Sequence, residues 1–263
     1  MKNVELFNWH LDFFHPVSFM LKNYEKKYYP AHTDIHKALH LGIVLRGSLE
    51  GIFASKKIST KEAEFYLTAP WEPHSTLFTG DGLILLLLNI DWDSLQNFFF
   101  TGRDRLEQLI VMEPEKRMSW INKKLTGGRS IEKLQKTVVL PESDEKYLLL
   151  WNIVHEIFIK ILPENNDALN SPGNYQRLLP VLKVLSKRPL SVGEASRICN
   201  LSISYFSVIF KKQFGLSFAG YERNFRLNGA AEAIRRGATL KEAAAEWGFC
   251  DKSHLARMLK KHR

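Results

Sequence analysis

Hydrophobic positions change their period along this chain. His40–Gly47 reads as a strand that ends in a glycine turn, with Ser48–Ala54 as its neighbour. Phe65–His74 reads as a strand running into a proline-punctuated turn. Gly82–Ile90 is a continuous apolar strand, suited to a position covered on both sides. Short strands with regular turns predict a barrel or double-sheet roll. From about Trp92 to Leu162 the spacing becomes helical, with Tyr147, Leu150, Trp151, Val154, Phe158 and Ile161 on one face. Pro163–Asn174, rich in Pro, Asn and Gly, reads as a linker.

Beyond the linker every period is helical. Pro180 suits the first turn of a helix running to about Lys187. Ser191 and Glu194 form a capping box for the next helix, and Ser202 caps the one that follows, up to Lys212. Phe218 to Arg236 predicts a longer helix with Tyr221, Phe225, Ala230 and Ile234 as apolar positions and Gly237 as its stop. Thr239 and Glu242 repeat the capping box, and the last helix begins near Asp251 or Lys252.

These helices arrange as two helix-turn-helix units, 192–212 and 240–261, whose starts lie 48 residues apart. In the second, Ala244 and Gly248 supply a small contact residue and a turn residue free to take positive φ. Ser196 and Asn200 hold those places in the first, and asparagine tolerates left-handed φ better than most residues. Two units in one chain suit two successive major grooves of DNA. The helix between them, about 19 residues at about 1.5 Å each, spans about 28 Å. The groove repeat on one face of the duplex is about 34 Å.

The division this implies is α+β in two domains. A β domain over 1–100 is followed by a helical segment over 101–163, a linker over 164–174 and an all-α domain over 175–263. Charge sharpens the picture. The chain of 263 residues carries a net +9. Residues 173–263 hold 17 Lys and Arg against 6 Asp and Glu, a net +11, which leaves −2 for the rest. A basic C-terminal domain can neutralise phosphates and release counterions. Cys199 and Cys250 both fall in the turn regions and read as reduced thiols, which fits a cytoplasmic setting. The apolar run Leu83–Leu88 is too short to span a bilayer, so no membrane partner is expected.

Helix phase selects the residues that would meet DNA. In the first unit Phe206, Ile209 and Phe210 form the apolar stripe, leaving Ser204, Ser207, Val208 and Lys211 on the other face. Serine can bond a base edge or phosphate, and Val208 suits a thymine methyl. In the second unit Leu255, Met258 and Leu259 turn inward, leaving Lys252, Ser253, Ala256 and Arg257. Arg257 suits bidentate guanine readout. Lys211, Lys212, Lys260 and Lys261 suit phosphates, which position the protein without specifying sequence.

Residues 174–263 resemble the DNA-binding domain of AraC/XylS-type transcription regulators. The residues that carry this are Leu201-Ser-x-Ser-Tyr-Phe-Ser-x-Ile-Phe-Lys-Lys-Gln-Phe-Gly215, Tyr221 with Arg226-Leu-x-x-Ala230, and Gly248-Phe-x-Asp-x-Ser-x-Leu255. The N-terminal half is similar to the cupin-like sensor domain of such proteins through His36-x-x-x-His40-Leu-x-x-Val-Leu-Arg-Gly47 and Ala69-Pro-Trp-Glu-Pro-His74. The resemblance implies a cupin-like or jelly-roll barrel that holds a small-molecule effector, and a homodimer made through the helices around 103–162. It further implies promoter DNA as partner, with RNA polymerase as a candidate second partner. The family pattern continues past the last basic residues, whereas this sequence ends at Arg263 with Leu255 and Leu259 at aromatic positions. A less tightly packed second unit is therefore expected.

A barrel would bring His36, His40 and His74 towards one mouth, with Trp9, Trp71 and Trp92 available as walls. His36, His40, Trp71 and His74 are taken as effector contacts. The same three histidines are the residues that would hold a metal, but no glutamate stands beside them as in the best-known cupin centres. No metal or other cofactor is assigned. There is no Ser/His/Asp order, phosphate-cradling glycine loop or paired-cysteine motif. No catalytic residue is named, and the chain is not read as an enzyme. The reading is a ligand-responsive, DNA-binding transcription regulator. Two alternatives stay open: a cupin metalloenzyme fused to a nucleic-acid-binding domain, and a ligand-independent regulator with a degenerate sensor.

Overall fold

The computed structural model describes residues 11, 13–25, 34–53, 56–78, 82–99, 102–125, 128–164, 174–185, 188–235 and 237–262. The chain separates into two compact units. Among the described residues, one unit comprises those from 11 to 25 and from 37 to 164, and the other comprises 34–36 with those from 174 to 262. Trp9, most of the expected linker and Arg236 lie outside the described residues.

The first unit holds strands β1 (Val17–Tyr24), β2 (Leu39–Arg46), β3 (Ser48–Phe53), β4 (Lys56–Lys61), β5 (Phe65–Thr68), β6 (His74–Leu77) and β7 (Leu83–Ile90). Helices α1 (Trp92–Phe98), α2 (Arg103–Val111), α3 (Pro114–Lys124), α4 (Arg129–Val138) and α5 (Asp144–Ile161) follow. The strands form two antiparallel sheets, one ordered β1-β7-β2-β5 and the other β4-β3-β6. β7 lies between β1 and β2, and Leu85, Leu86, Leu87 and Leu88 are all buried. An uninterrupted apolar run is what a central strand covered on both faces requires.

Side chains from both sheets share one core: Val44, Tyr66, Leu85 and Leu87 with Leu49, Phe53 and Phe78. Gly42 sits opposite Tyr66 in the β2–β5 register, and the ring crosses the glycine so closely that a Cβ there would lie 2.0 Å from it. Glycine is the residue that lets the ring fill the sheet interior at this point.

The edge strand β5 would leave backbone groups unpaired, and α3 covers it with side chains. The Asn122 amide acts as a surrogate peptide: Phe65 N–H donates to its Oδ1 at 2.7 Å, and its Nδ2 donates to Phe65 O at 2.9 Å. Arg117 Nε donates to Leu67 O at 3.0 Å, and Leu67 N–H points at Met118 Sδ at 3.2 Å. Trp120 Nε1 ties the same helix to Ile161 O at the end of α5. Of the predicted α5 face, Leu150, Val154, Phe158 and Ile161 are buried. Tyr147 does not belong to that core. It is 38% exposed and donates its hydroxyl to Glu142, because a phenol one turn from the N-terminus finds a carboxylate partner more cheaply than an apolar one.

The second unit holds α6 (Asn174–Leu185), α7 (Val192–Ile198), α8 (Ile203–Phe214), α9 (Phe218–Arg235), α10 (Leu240–Glu246) and α11 (Lys252–His262). Pro180 is not in a first turn, as expected above, but inside α6. The helix starts earlier because Leu178, Val181, Leu182 and Leu185 bury one continuous face, which outweighs the hydrogen bond a proline removes. Both capping boxes form, Ser191 with Glu194 and Thr239 with Glu242.

Candidate functional site

α7 and α8 make the first helix-turn-helix, and α10 and α11 the second. Asn200 takes φ 54° and Gly248 φ 69° in the two turns, the left-handed geometry that their residue types favour. Ser196 and Ala244 are both buried at the helix contact. The first unit closes over a stack of aromatic rings, Phe206, Phe210, Phe214, Phe218 and Tyr221, with neighbouring centroids 4.6–5.4 Å apart. The second closes over smaller side chains: Leu227, Ala230, Ala243, Ala244, Phe249 and Leu255. Trp247 adds to it by lying flat on Gly229, where a Cβ would meet the ring at 2.1 Å.

With those faces buried, the opposite faces are open. Ser204, Ser207, Val208, Lys211 and Lys212 are exposed on α8. Lys252, Ser253, Arg257 and Lys260 are exposed on α11, while the Lys261 side chain lies outside the described residues. Val208 is 65% exposed, an unusual state for a core-type residue and a usable one for apolar contact with a base. Ser207 already donates its hydroxyl to Ile203 O at 2.8 Å, so it can meet a ligand mainly as an acceptor. Arg257 Nε donates to Ser253 O at 3.4 Å, one turn back along α11. Helix phase did not single out Ile203 and Tyr205, which are also exposed at the start of α8. The Tyr205 hydroxyl accepts from Arg177 on α6 at 3.2 Å.

Electrostatics at the helix ends follow the caps. Backbone and hydroxyl bonds from Ser191, with Arg188 alongside, bring the Glu194 carboxyl down to about 2. Bonds from Thr239 lower Glu242 in the same way, and the His254 N–H lowers Asp251 at the start of α11. Glu222 on α9 goes the other way. Burial raises it, against the opposing pull of Arg226.

In the double sheet, strand register gathers polar groups that the sequence scatters. Ser18 pairs with Asn89, Asn89 with His40, and His40 with Thr68. Directly paired residues point to the same side, so these four form one polar row across β1, β7, β2 and β5. Asn89 Nδ2 donates to Ser18 Oγ at 3.1 Å, while Asn89 Oδ1 and Thr68 Oγ1 are fully buried without a hydrogen-bond partner. The single Asn inside the leucine run of β7 was the available signal for this row. His74 meets it from the start of β6, its ring 5.2 Å from that of His40 and edge-on.

Of the three expected histidines, His40 and His74 lie together in the double sheet, whereas His36 falls in a segment of the other unit. His74 Nδ1 lies 2.9 Å from Glu72 O. A carbonyl can only accept, so Nδ1 carries the proton and Nε2 presents its lone pair when the ring is neutral. Glu72 itself is turned away. Its Oε2 accepts from Ala69 N and pairs with Arg117. Trp71 takes φ 63° in the same loop and is half-buried. Trp92, the other expected wall, opens α1.

Comparison with known proteins bears on both units. Residues 195–263 match the family described as "Helix-turn-helix domain". YfiF of Bacillus subtilis (strain 168), named as an uncharacterized HTH-type transcriptional regulator, is 22% identical over 229 residues, which cover 81% of this chain and 70% of that protein. Among solved structures, ToxT from Vibrio cholerae bound to an unsaturated fatty acid superposes with a TM-score of 0.52 at 11% identity, covering 94% of this chain and 91% of that one. A second ToxT structure gives 0.53 at 10% identity, covering 94% of each. At such identities the likeness concerns the fold. Residues 195–263 therefore carry a helix-turn-helix domain, and the chain as a whole shares the fold of ToxT.

Proposed function

We propose that the chain is a sequence-specific, DNA-binding transcription regulator whose activity is set by a small molecule held in the double-sheet unit. The observation that carries this is the pair of open helix faces. α8 and α11 expose serine, valine, lysine and arginine on a part of the chain with net charge +11, while their other faces are core. Arg257 and Val208 would read bases; Ser204, Ser207 and Ser253 would bond base edges or phosphates. Lys211, Lys212, Lys252, Lys260 and Lys261 would meet phosphates.

His36, His40, Trp71 and His74 are the proposed effector contacts, and the unpartnered Asn89 and Thr68 oxygens support a polar ligand end at this place. ToxT, in one of its structures, holds an unsaturated fatty acid. A homodimer is supported by α5, where Leu148 is 64% and Ile159 59% exposed on one helix. No helix among the described residues is long and apolar enough to cross a membrane, and a DNA reader works in the cytoplasm of a bacterium. We assign no catalytic role; RNA polymerase remains a candidate partner at the promoter.

Binding of the full chain to its own upstream region, against an unrelated duplex across a salt series, tests the reading. Tight, sequence-dependent binding at about 0.15 M salt is expected of a specific regulator. Equal weak binding to both duplexes that vanishes with salt would overturn it.

A further inference from the structure

Segments of both helix-turn-helix units converge on one ion pair of α9. Glu222 and Arg226 stand a helical turn apart, with Arg226 Nε 2.7 Å from Glu222 Oε1. Glu222 is 7% exposed and accepts a hydrogen bond from the backbone of Leu190, just ahead of α7. Arg226 faces the other unit. Its Nη1 donates to Gly248 O at 2.7 Å and lies 3.4 Å from Trp247 O, and its guanidinium lies 5.0 Å from the centre of the Phe249 ring. Residues 247–249 are the turn between α10 and α11. Pro189 closes the same junction from the first unit, its Cγ 2.6 Å from where a Cβ on Gly248 would stand.

We propose that the Glu222–Arg226 pair is the positioning element that fixes the offset between the two recognition helices, and so selects the half-site spacing this chain accepts. α9 is long enough, at 18 residues, to set a distance of about 27 Å along its own axis. It does not by itself fix how far α10 and α11 are rotated about that axis. Their contact with α9 is an apolar cluster in which Ala230, Ala243 and Ala244 stand among larger side chains, and the hydrophobic effect is non-directional. A guanidinium bound to two successive carbonyls and a carboxylate is directional. The turn of the second unit is thereby held in register with the entry of the first, through a carboxylate and an arginine on one helix face.

The inference rests on the DNA-binding reading, and the test separates the two. The full chain, Glu222→Gln and Arg226→Met each select duplexes from a randomised pool, and the spacing between enriched half-sites is read. Helical content and a cooperative melt are checked for each. Wild type is expected to enrich two half-sites at a single spacing near one turn, and a 5-bp insertion between them to cost about 100-fold in affinity. The variants are expected to keep the same half-site sequences but accept several spacings, with the insertion costing less than about 10-fold. A merely structural loss would weaken binding at every spacing alike. An unchanged spacing distribution in a folded variant overturns the inference while leaving the regulator reading intact. If Arg226→Met does not fold, Glu222→Gln decides, because its amide still accepts from Leu190 but no longer holds the charge of Arg226. Failure of wild type to enrich any sequence overturns both.

Discussion

Arg117 on α3 forms a buried ion pair with Glu72, two residues ahead of His74. Arg117 is 1% and Glu72 3% exposed, and the guanidinium also donates to Leu67, Ile110 and Met112 carbonyls. The charge is thus compensated by hydrogen bonds from all three guanidinium nitrogens, as a buried arginine requires. The pair fixes the loop that carries Trp71 and leads into His74 at the start of β6 onto the helix that also covers the β5 edge.

Arg117→Met leaves Glu72 charged, buried and unpaired, and is expected to cost about 3–5 kcal/mol of stability. Combining it with Glu72→Gln should return part of that loss, because the uncompensated charge is gone. Urea unfolding of the two single variants and the double variant checks this; equal stability of the single and double variants would contradict it.

His155 carries a pH prediction. It is 6% exposed, stacked on Phe98 at 3.5 Å and edge-on to Trp151 at 4.3 Å, with Nε2 unpartnered. Burial brings its titration down to about 4. The unfolded chain binds this proton near pH 6.5, whereas the folded chain does not until about 4. Stability from this group is present above about 6.5 and is lost progressively as pH falls towards 4. His155→Phe should flatten that part of the stability–pH curve, read from thermal melts across the window.

On the proposed reading, the exposed faces of α8 and α11 separate into specifying and positioning residues. Arg257→Ala should cost about 1–3 kcal/mol of DNA binding and relax preference at one base pair. Lys211→Ala should weaken binding to all sequences alike and reduce the salt slope by about 1. Selection from randomised sites and a salt titration measure the two effects; an unchanged base preference for Arg257→Ala would count against its proposed role.

The two capping boxes make a matched pair. Ser191→Ala and Thr239→Ala should each cost about 1 kcal/mol, since each hydroxyl satisfies a helix N–H that otherwise has no intrahelical partner. Because the sites lie in different helix-turn-helix units, the double variant should lose about the sum. Chemical denaturation of the three variants tests additivity.

Features set within a few residues of one another were legible in the sequence. A capping box needs only two residues three apart, a turn needs an Asn200 or a Gly248 that tolerates positive φ, and an amphipathic face repeats every turn. The paired helix-turn-helix units, their open faces and the buried strand Leu83–Ile90 are of this kind. Features made between distant residues were decided only by the tertiary structure. Asn122 substitutes for a strand beside Phe65 across 57 positions, and Ser18 meets Asn89 across 71. Pro180 lies inside a helix because the buried face around it outweighs its local preference. Arg226 carries part of the family resemblance in the sequence, but its partners at Trp247 and Gly248 appear only when that turn is folded onto it. Local hydrogen-bond and steric preferences act over one or two turns of chain, whereas register and docking depend on which buried faces meet. That pairing is specified only by the assembled core.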